Sequence, residues 1–347
     1  THADVGVTEW TLSNGVRVLL KPTDFQADEV RFAAFSKGGT SLVEDRDWAS
    51  ASLATFVVPQ GGFGTFSSTG LQKRLAGRAV SVNPYVAAHA EGLSGHASPQ
   101  DLGTLFELIH LTMTAPRVDS AAFRASRQQL ESFVANRGAS PEQVFGDTVA
   151  VTMAQHHPRA RAFTPALLGE LDYAAALRVY RERFADAGDF TFILVGNVDT
   201  AAVRPLAERW LASLPATGRQ ETWRDVGIRP PTGVVERIVR RGVEPKAQTR
   251  LLLTGPFEQT RANRFALAMV GEVLDLRLRD RLREALGGTY GVQVSAGSTR
   301  IPRAEYTVTV AFGSAPERAD ELVRAVEAEL DSLRASGPTE AEVAKVK

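Results

Sequence analysis

The sequence predicts an α+β fold in which one unit is used twice. Three observations carry this expectation. Short apolar runs with strand alternation recur in pairs, capped amphipathic segments of helical period stand between them, and the whole pattern restarts after a stretch rich in Pro and Gly. A chain of 347 residues is long enough for roughly two domains of about 150 residues each.

The elements follow in order. "EWTLSNGVRVLL" reads as a hairpin, because Asn14-Gly15 is a strong two-residue turn signal between short strands. Val30 to Ser36 is the next strand. Helical period runs from Trp48 to about Val58 and returns at Leu71 to Gly77. Between these helices "GGFGTFSSTG", Gly61 to Gly70, is expected to be a flexible loop. Strands are expected at Ala79 to Ala87 and His89 to Gly95. Ser98-Pro99 opens a helix, with Ser98 at the N-cap, Pro99 at the first helical position and Asp101 near the positive end of the dipole. A further helix spans about Ser120 to Asn136. Ser140-Pro141-Glu142-Gln143 is a capping box that starts another helix. Tyr173 to Phe184 is amphipathic. "DFTFILVGNVD" is a buried strand, and "AAVRPLAERWLASL" closes the first domain, residues 1–214.

Residues 215–232 are rich in Pro, Gly and polar side chains without apolar period, and read as an interdomain linker. The second domain, 233–347, repeats the grammar. Strands are expected at Val234 to Arg240 and Thr249 to Thr254, and a helix at about Arg261 to Leu286. Strands follow at Tyr290 to Ala296 and Glu305 to Phe312, then the amphipathic "SAPERADELVRAVEAELDSL". Thr339 and Glu342 open one more capping box close to Lys347. Set against the first copy, the second is expected to be truncated.

Composition excludes several classes. The 40 basic and 40 acidic residues balance, which argues against nucleic-acid and membrane-surface partners. There is no cysteine, so disulfides, thiolate metal sites and a Cys nucleophile are out. No apolar run reaches the 18 or so residues of a membrane span, and the N-terminus lacks a secretory signal pattern.

The search for chemistry starts with metal ligands. Neither H-E-x-x-H nor H-x-x-E-H occurs among the six histidines. His89, Glu91 and His96 lie along one strand, where His89 and Glu91 share a face by period two and His96 points the other way. An ordinary exposed strand outweighs a metal-dependent hydrolase site there. His156-His157 falls at a helix end, where the dipole favours it without any function. No G-x-S-x-G occurs, and the Gly61 to Gly70 stretch lacks the Lys of a phosphate loop. One stretch remains: "LRDRLREALGGTYGV", Leu278 to Val292, with Arg283 on the last helical turn and Tyr290 seven residues on, past two glycines. Taken alone, Arg283 could cap helix carbonyls while Tyr290 packs.

"LSNGVRVLL", "HHPRARAFTPALLGELDYAAALRVYRERFADAGDFTFILVGNVD" and "LRDRLREALGGTYGV" together resemble the M16 peptidase family (insulinase, pitrilysin and mitochondrial processing peptidase) in order and spacing over the whole chain. The resemblance implies two related α/β-roll domains, each an antiparallel sheet with helices on one face. Two such halves enclose a proteolytic chamber. The chain departs from the family's catalytic pattern at one place. Zinc-binding halves carry H-x-x-E-H on the first long helix, and here Ser52 to Phe56 reads Ser, Leu, Ala, Thr, Phe, which offers no imidazole and no carboxylate. The resemblance therefore implies a non-catalytic half, inactive alone, with no cofactor of its own and with zinc in a partner half bearing H-x-x-E-H, fused or separate. It also implies that Arg283 and Tyr290 reach a peptide substrate in trans. There the Tyr hydroxyl donates to the developing oxyanion and the Arg holds a neighbouring carbonyl; one such donor is worth about 3–4 kcal/mol in the transition state. The alternative is a scaffold or peptide-binding subunit with no role in catalysis. The resemblance points to the bacterial periplasm.

Overall fold

The computed structural model describes residues 2–287, 289 and 291–346. The chain divides into two compact units, Thr1–Val239 and Arg240–Lys347.

The first unit is a six-stranded sheet with helices on one face. Its strands are β1 (Thr8–Thr11), β2 (Arg17–Pro22), β3 (Val30–Lys37), β4 (Val80–Val86), β5 (Ala90–Ala97) and β6 (Thr191–Gly196), in the order β1-β2-β6-β3-β5-β4. The Asn14-Gly15 turn forms as expected. Gly15 takes φ 86° and donates to the Leu12 carbonyl at 3.0 Å, a conformation that strains any residue with a Cβ. All strand pairs are antiparallel except β2–β6, where Arg17 pairs with Thr191 in a parallel ladder. The last strand of the unit thus fills the gap between its second and third.

Side-chain alternation sorts the two faces. Val18, Leu20, Phe32, Ala34, Phe192 and Leu194 are buried, whereas Arg17, Arg31, Phe35 and Val195 are exposed on the other face. Against the apolar face lie α1 (Trp48–Val57), α2 (Ser68–Leu75), α3 (Leu102–Thr114), α4 (Ser120–Ala139), α5 (Pro141–Met153), a short α6 (Pro165–Gly169), α7 (Tyr173–Arg183) and α8 (Thr200–Leu206). Leu105, Phe106 and Ile109 of α3 and Tyr180 of α7 are fully buried in the core they share with the sheet. The caps expected from sequence are made. Ser98 Oγ accepts from the Asp101 amide at 3.2 Å, and Ser140 Oγ from the Gln143 amide at 3.3 Å.

One expectation fails in this unit, and one stretch is more tightly held than its composition suggests. Gly61 to Gly70 is a tight turn, not a flexible loop. Phe63 is buried in the core, Gly62 takes φ 86° where a Cβ would lie 2.1 Å from the Phe66 carbonyl oxygen, and Ser67 caps α2. The sequence signal misled because Gly and Ser enrichment serves close backbone approach as readily as disorder. The stretch read as a linker is also ordered. Residues 215–230 form a strap without helix or strand, hydrogen-bonded along the first unit. Asp186 holds one end, accepting from the Thr217 amide at 2.9 Å, the Arg219 amide at 3.0 Å and the Thr217 hydroxyl. Ser41 Oγ accepts from the Arg224 amide at 3.0 Å, His157 Nε2 meets the Val226 carbonyl at 3.0 Å, and Gln155 donates to the Pro230 carbonyl at 3.1 Å.

The second unit is a three-stranded antiparallel sheet of β7 (Ala247–Pro256), β8 (Val292–Thr299) and β9 (Glu305–Ser314), ordered β7-β9-β8, with α9 (Arg261–Leu278), α10 (Ala319–Ser336) and α11 (Glu340–Val346). The Thr339 capping box is reciprocal. The Thr339 amide donates to Glu342 at 2.7 Å, and the Glu342 amide to Thr339 Oγ1 at 3.2 Å. The strand expected at Val234 to Arg240 does not form. Val234 and Val243 are fully exposed. The counterpart β2 gains its ladder from β1 and β6, and no described residues offer 234–240 such a ladder, so its backbone stays solvated.

Candidate substrate-facing site

The stretch around Arg283 begins as an amphipathic helix. Leu274, Leu278 and Leu282, spaced by four, are fully buried against Val292, Val310 and Phe312. Gly271 lets α9 approach β8 closely, since a Cβ there would lie 2.8 Å from that of Ala296. Beyond Leu278 the coil widens into a π-helical turn, Arg279–Ala285. Such widenings are rare and concentrate at functional sites. The turn closes with the Leu286 amide donating to the Arg281 carbonyl at 3.2 Å and the Gly287 amide to the Arg283 carbonyl at 3.0 Å, Gly287 taking φ 56°.

Arg283 lies on this turn with an exposed side chain, one residue past the Leu282 anchor. The Leu286 carbonyl at the end of the turn accepts from Arg318 Nη1 at 3.1 Å. Two nearby arginines form ion pairs. Arg277 binds both carboxylate oxygens of Glu342 at 2.6 and 2.9 Å, which holds that carboxyl down at about 2, and Arg279 pairs with Asp275. Tyr290 lies outside the described residues. The strand expected to begin there is described from Val292.

Zinc does not fit the residues of α1. Ser52 and Phe56 are exposed one turn apart, with Ser52 Oγ donating to the Ala49 carbonyl at 2.8 Å. Neither these two nor Thr55 supplies an imidazole or carboxylate. Among the described residues no three His, Asp or Glu side chains converge to hold a metal.

The strand starts at Ala90, so His89 lies in the bend before it, while Glu91 and His96 part as alternation requires. His96 is exposed and meets Ser81 Oγ at 3.0 Å. Glu91 corrects the expectation of an ordinary exposed strand, for it points inward and is fully buried. Burial is the main cause that pushes its carboxyl up to about 7, against a hydrogen bond from the Gly39 amide at 2.5 Å and the attraction of Arg183. Arg183, the C-terminal residue of α7, is also buried and pairs with Glu221 of the strap at 2.8 Å. The sequence carried a signal for this pair: Glu91 falls on the same alternation as Leu93 and Ala97, so a buried carboxylate needed a cation.

The family description "Peptidase M16 inactive domain" matches residues 173–347, just over half of the chain. The chain is 25% identical to the zinc protease PQQL-like of Arabidopsis thaliana over 99% of its own length and 35% of that protein's. Among solved structures, the periplasmic protease PqqL from Escherichia coli superposes with a TM-score of 0.83 at 23% identity, covering 98% of this chain and 38% of that one. The M16 inactive domain from Pseudomonas fluorescens superposes at 0.75 with 15% identity, covering 98% and 82%. The chain spans about a third of the length of the curated relatives it matches. With its sheet-and-helix units and an α1 that has no metal ligand, it belongs to the peptidase M16 family.

Proposed function

We propose that this chain is the non-catalytic half of a bacterial M16 zinc metalloendopeptidase. It closes the proteolytic chamber over a peptide substrate bound to a half that carries H-x-x-E-H, on the same polypeptide or another. Zinc belongs to that half. Arg283 holds a substrate carbonyl and Tyr290 donates to the oxyanion that develops at the scissile carbonyl. The reading places the assembly in the periplasm, as described for PqqL of Escherichia coli.

The observation that carries the proposal is the exposed Arg283 on a π-helical turn. The turn is anchored by Leu282, so the backbone that bears Arg283 is fixed while its side chain faces outward. The test measures bound zinc and peptide cleavage for this chain alone, then with its H-x-x-E-H half. Activity only on mixing, with a loss for Arg283→Ala or Tyr290→Phe, is the expected result. Cleavage by this chain alone overturns the proposal. Full activity of both variants in the assembled enzyme leaves this half as a scaffold and overturns the catalytic assignment.

A further inference from the structure

Five buried side-chain polar atoms have no hydrogen-bond partner among the described residues: Ser36 Oγ, His89 Nε2, Glu91 Oε1, Arg183 Nε and Arg219 Nη2. They converge on one place. Ser36 and Glu91 are register partners on the inward face of β3 and β5. Glu91 Oε1 lies 4.0 Å from Arg183 Nη1, which bonds Glu221 at 2.8 Å, and Glu221 lies 3.4 Å from Arg219 Nη2. The His89 ring meets Trp223 edge-on, with centroids 5.7 Å apart. Arg219, Glu221 and Trp223 all belong to the strap. The segment at 215–230 is therefore the cover over a buried carboxyl group.

The charged and titratable groups around Glu91 come from every neighbouring element. Helix α7 supplies Arg183 and, beside it, Glu182; the strap supplies Glu221 and Arg219; β4 supplies Tyr85; and His89 lies in the bend just before β5. An ionised Glu91 has one oxygen satisfied by Gly39 and the other beyond hydrogen-bond distance of Arg183. It also repels Glu221, the strap residue that holds Arg183. A protonated Glu91 escapes the repulsion and the cost of a buried charge, and leaves only a neutral oxygen unpaired. Lifting the strap admits water to Oε1 and favours the ionised form, so by linkage ionisation favours lifting the strap.

We propose that the 215–230 strap is a proton-controlled latch, closed while Glu91 carries its proton and released as Glu91 ionises. Release changes the connection between the two units. Latched, the strap is held as far as Pro230; released, the free tether begins near Pro215. The elevated titration of Glu91, near neutrality, sets the range in which the latch works.

Hydrogen exchange on the full 347-residue chain, from pH 5.5 to 8.5 and corrected for intrinsic rates, reads the latch directly. Protection of the amides at 217–226 is expected to fall as pH rises towards the raised Glu91 titration, by up to about tenfold per pH unit, the limit for one proton, and to level off above it, while staying below the protection of β2 throughout. Glu91→Gln should abolish the dependence and His89→Gln should preserve it. If Glu91→Gln does not fold, the His89→Gln series still separates the two proton carriers. Strap protection that does not change with pH in the unaltered chain overturns the proposal. So does a dependence that survives Glu91→Gln or vanishes in His89→Gln, or strap protection equal to that of β2 at every pH, which marks global unfolding.

Discussion

Arg318 donates from Nη1 to the carbonyl oxygen of Leu286 at 3.1 Å, so the helix that carries Arg283 is capped by the residue that opens α10. Stability and catalysis should therefore separate between these two arginines. Arg318→Ala should destabilise the second unit by about 1–2 kcal/mol in denaturant unfolding, through a lost charged hydrogen bond to a carbonyl. Arg283→Ala leaves this cap in place and should lower the kcat/KM of the assembled peptidase.

Tyr290→Phe removes one hydroxyl and little else. If that hydroxyl meets the oxyanion, kcat should fall by roughly 100-fold or more with KM little changed. Steady-state kinetics of the assembled enzyme check this.

Stability of the first unit should depend on pH through Glu91. Its folded-state titration is raised from 4.5 to about 7. The folded form therefore holds its proton more tightly than the unfolded form. The stabilisation is fully present below pH 4.5 and is lost as pH rises through 7, a change of about 3 kcal/mol. Thermal or urea unfolding between pH 4.5 and 8 should show it, and Glu91→Gln should flatten the curve.

Asp186 holds the strap by accepting from the Gly188, Thr217 and Arg219 amides and the Thr217 hydroxyl. Asp186→Ala strands these donors and should cost about 2–3 kcal/mol. It should also expose residues 215–230 to limited proteolysis, with cleavage mapped by mass spectrometry.

Gly271→Ala tests the packing of α9 on β8. The added methyl would lie 2.8 Å from the Ala296 Cβ, which is fixed to the backbone of β8 and cannot swing aside. Overpacking of this kind should destabilise the second unit by about 1–3 kcal/mol, despite the better helix propensity of Ala.

Local grammar made most elements legible. Asn14-Gly15, Ser98-Pro99, Ser140-Pro141 and Thr339 with Glu342 are signals whose physics is complete within a few residues, and each forms its turn or cap. Sequence reading failed where a partner distant in the chain decides. Val234 to Arg240 has strand composition, but a strand needs a neighbour, and composition does not record one. The strap has loop composition and is nonetheless ordered, because Asp186, Arg183 and Ser41 supply hydrogen bonds from far upstream. At the candidate site, the helix, its stop at Gly287 and the place of Arg283 were legible. The widening of the last turn was not, since no local pattern distinguishes it from a regular helix. Nor was the cap from Arg318, whose neighbour in space is remote in sequence.

The insertion of β6 between β2 and β3 has a consequence for biogenesis. Both neighbours leave the ribosome long before Thr191 does, and each then presents an unpaired edge lined with Val, Leu and Phe. At roughly 5–20 residues per second, the interval lasts on the order of ten seconds. Through that time the nascent chain is open to mispairing with other strands. Holdase chaperones should thus engage the nascent chain before residue 191 emerges and let go once β6 seats.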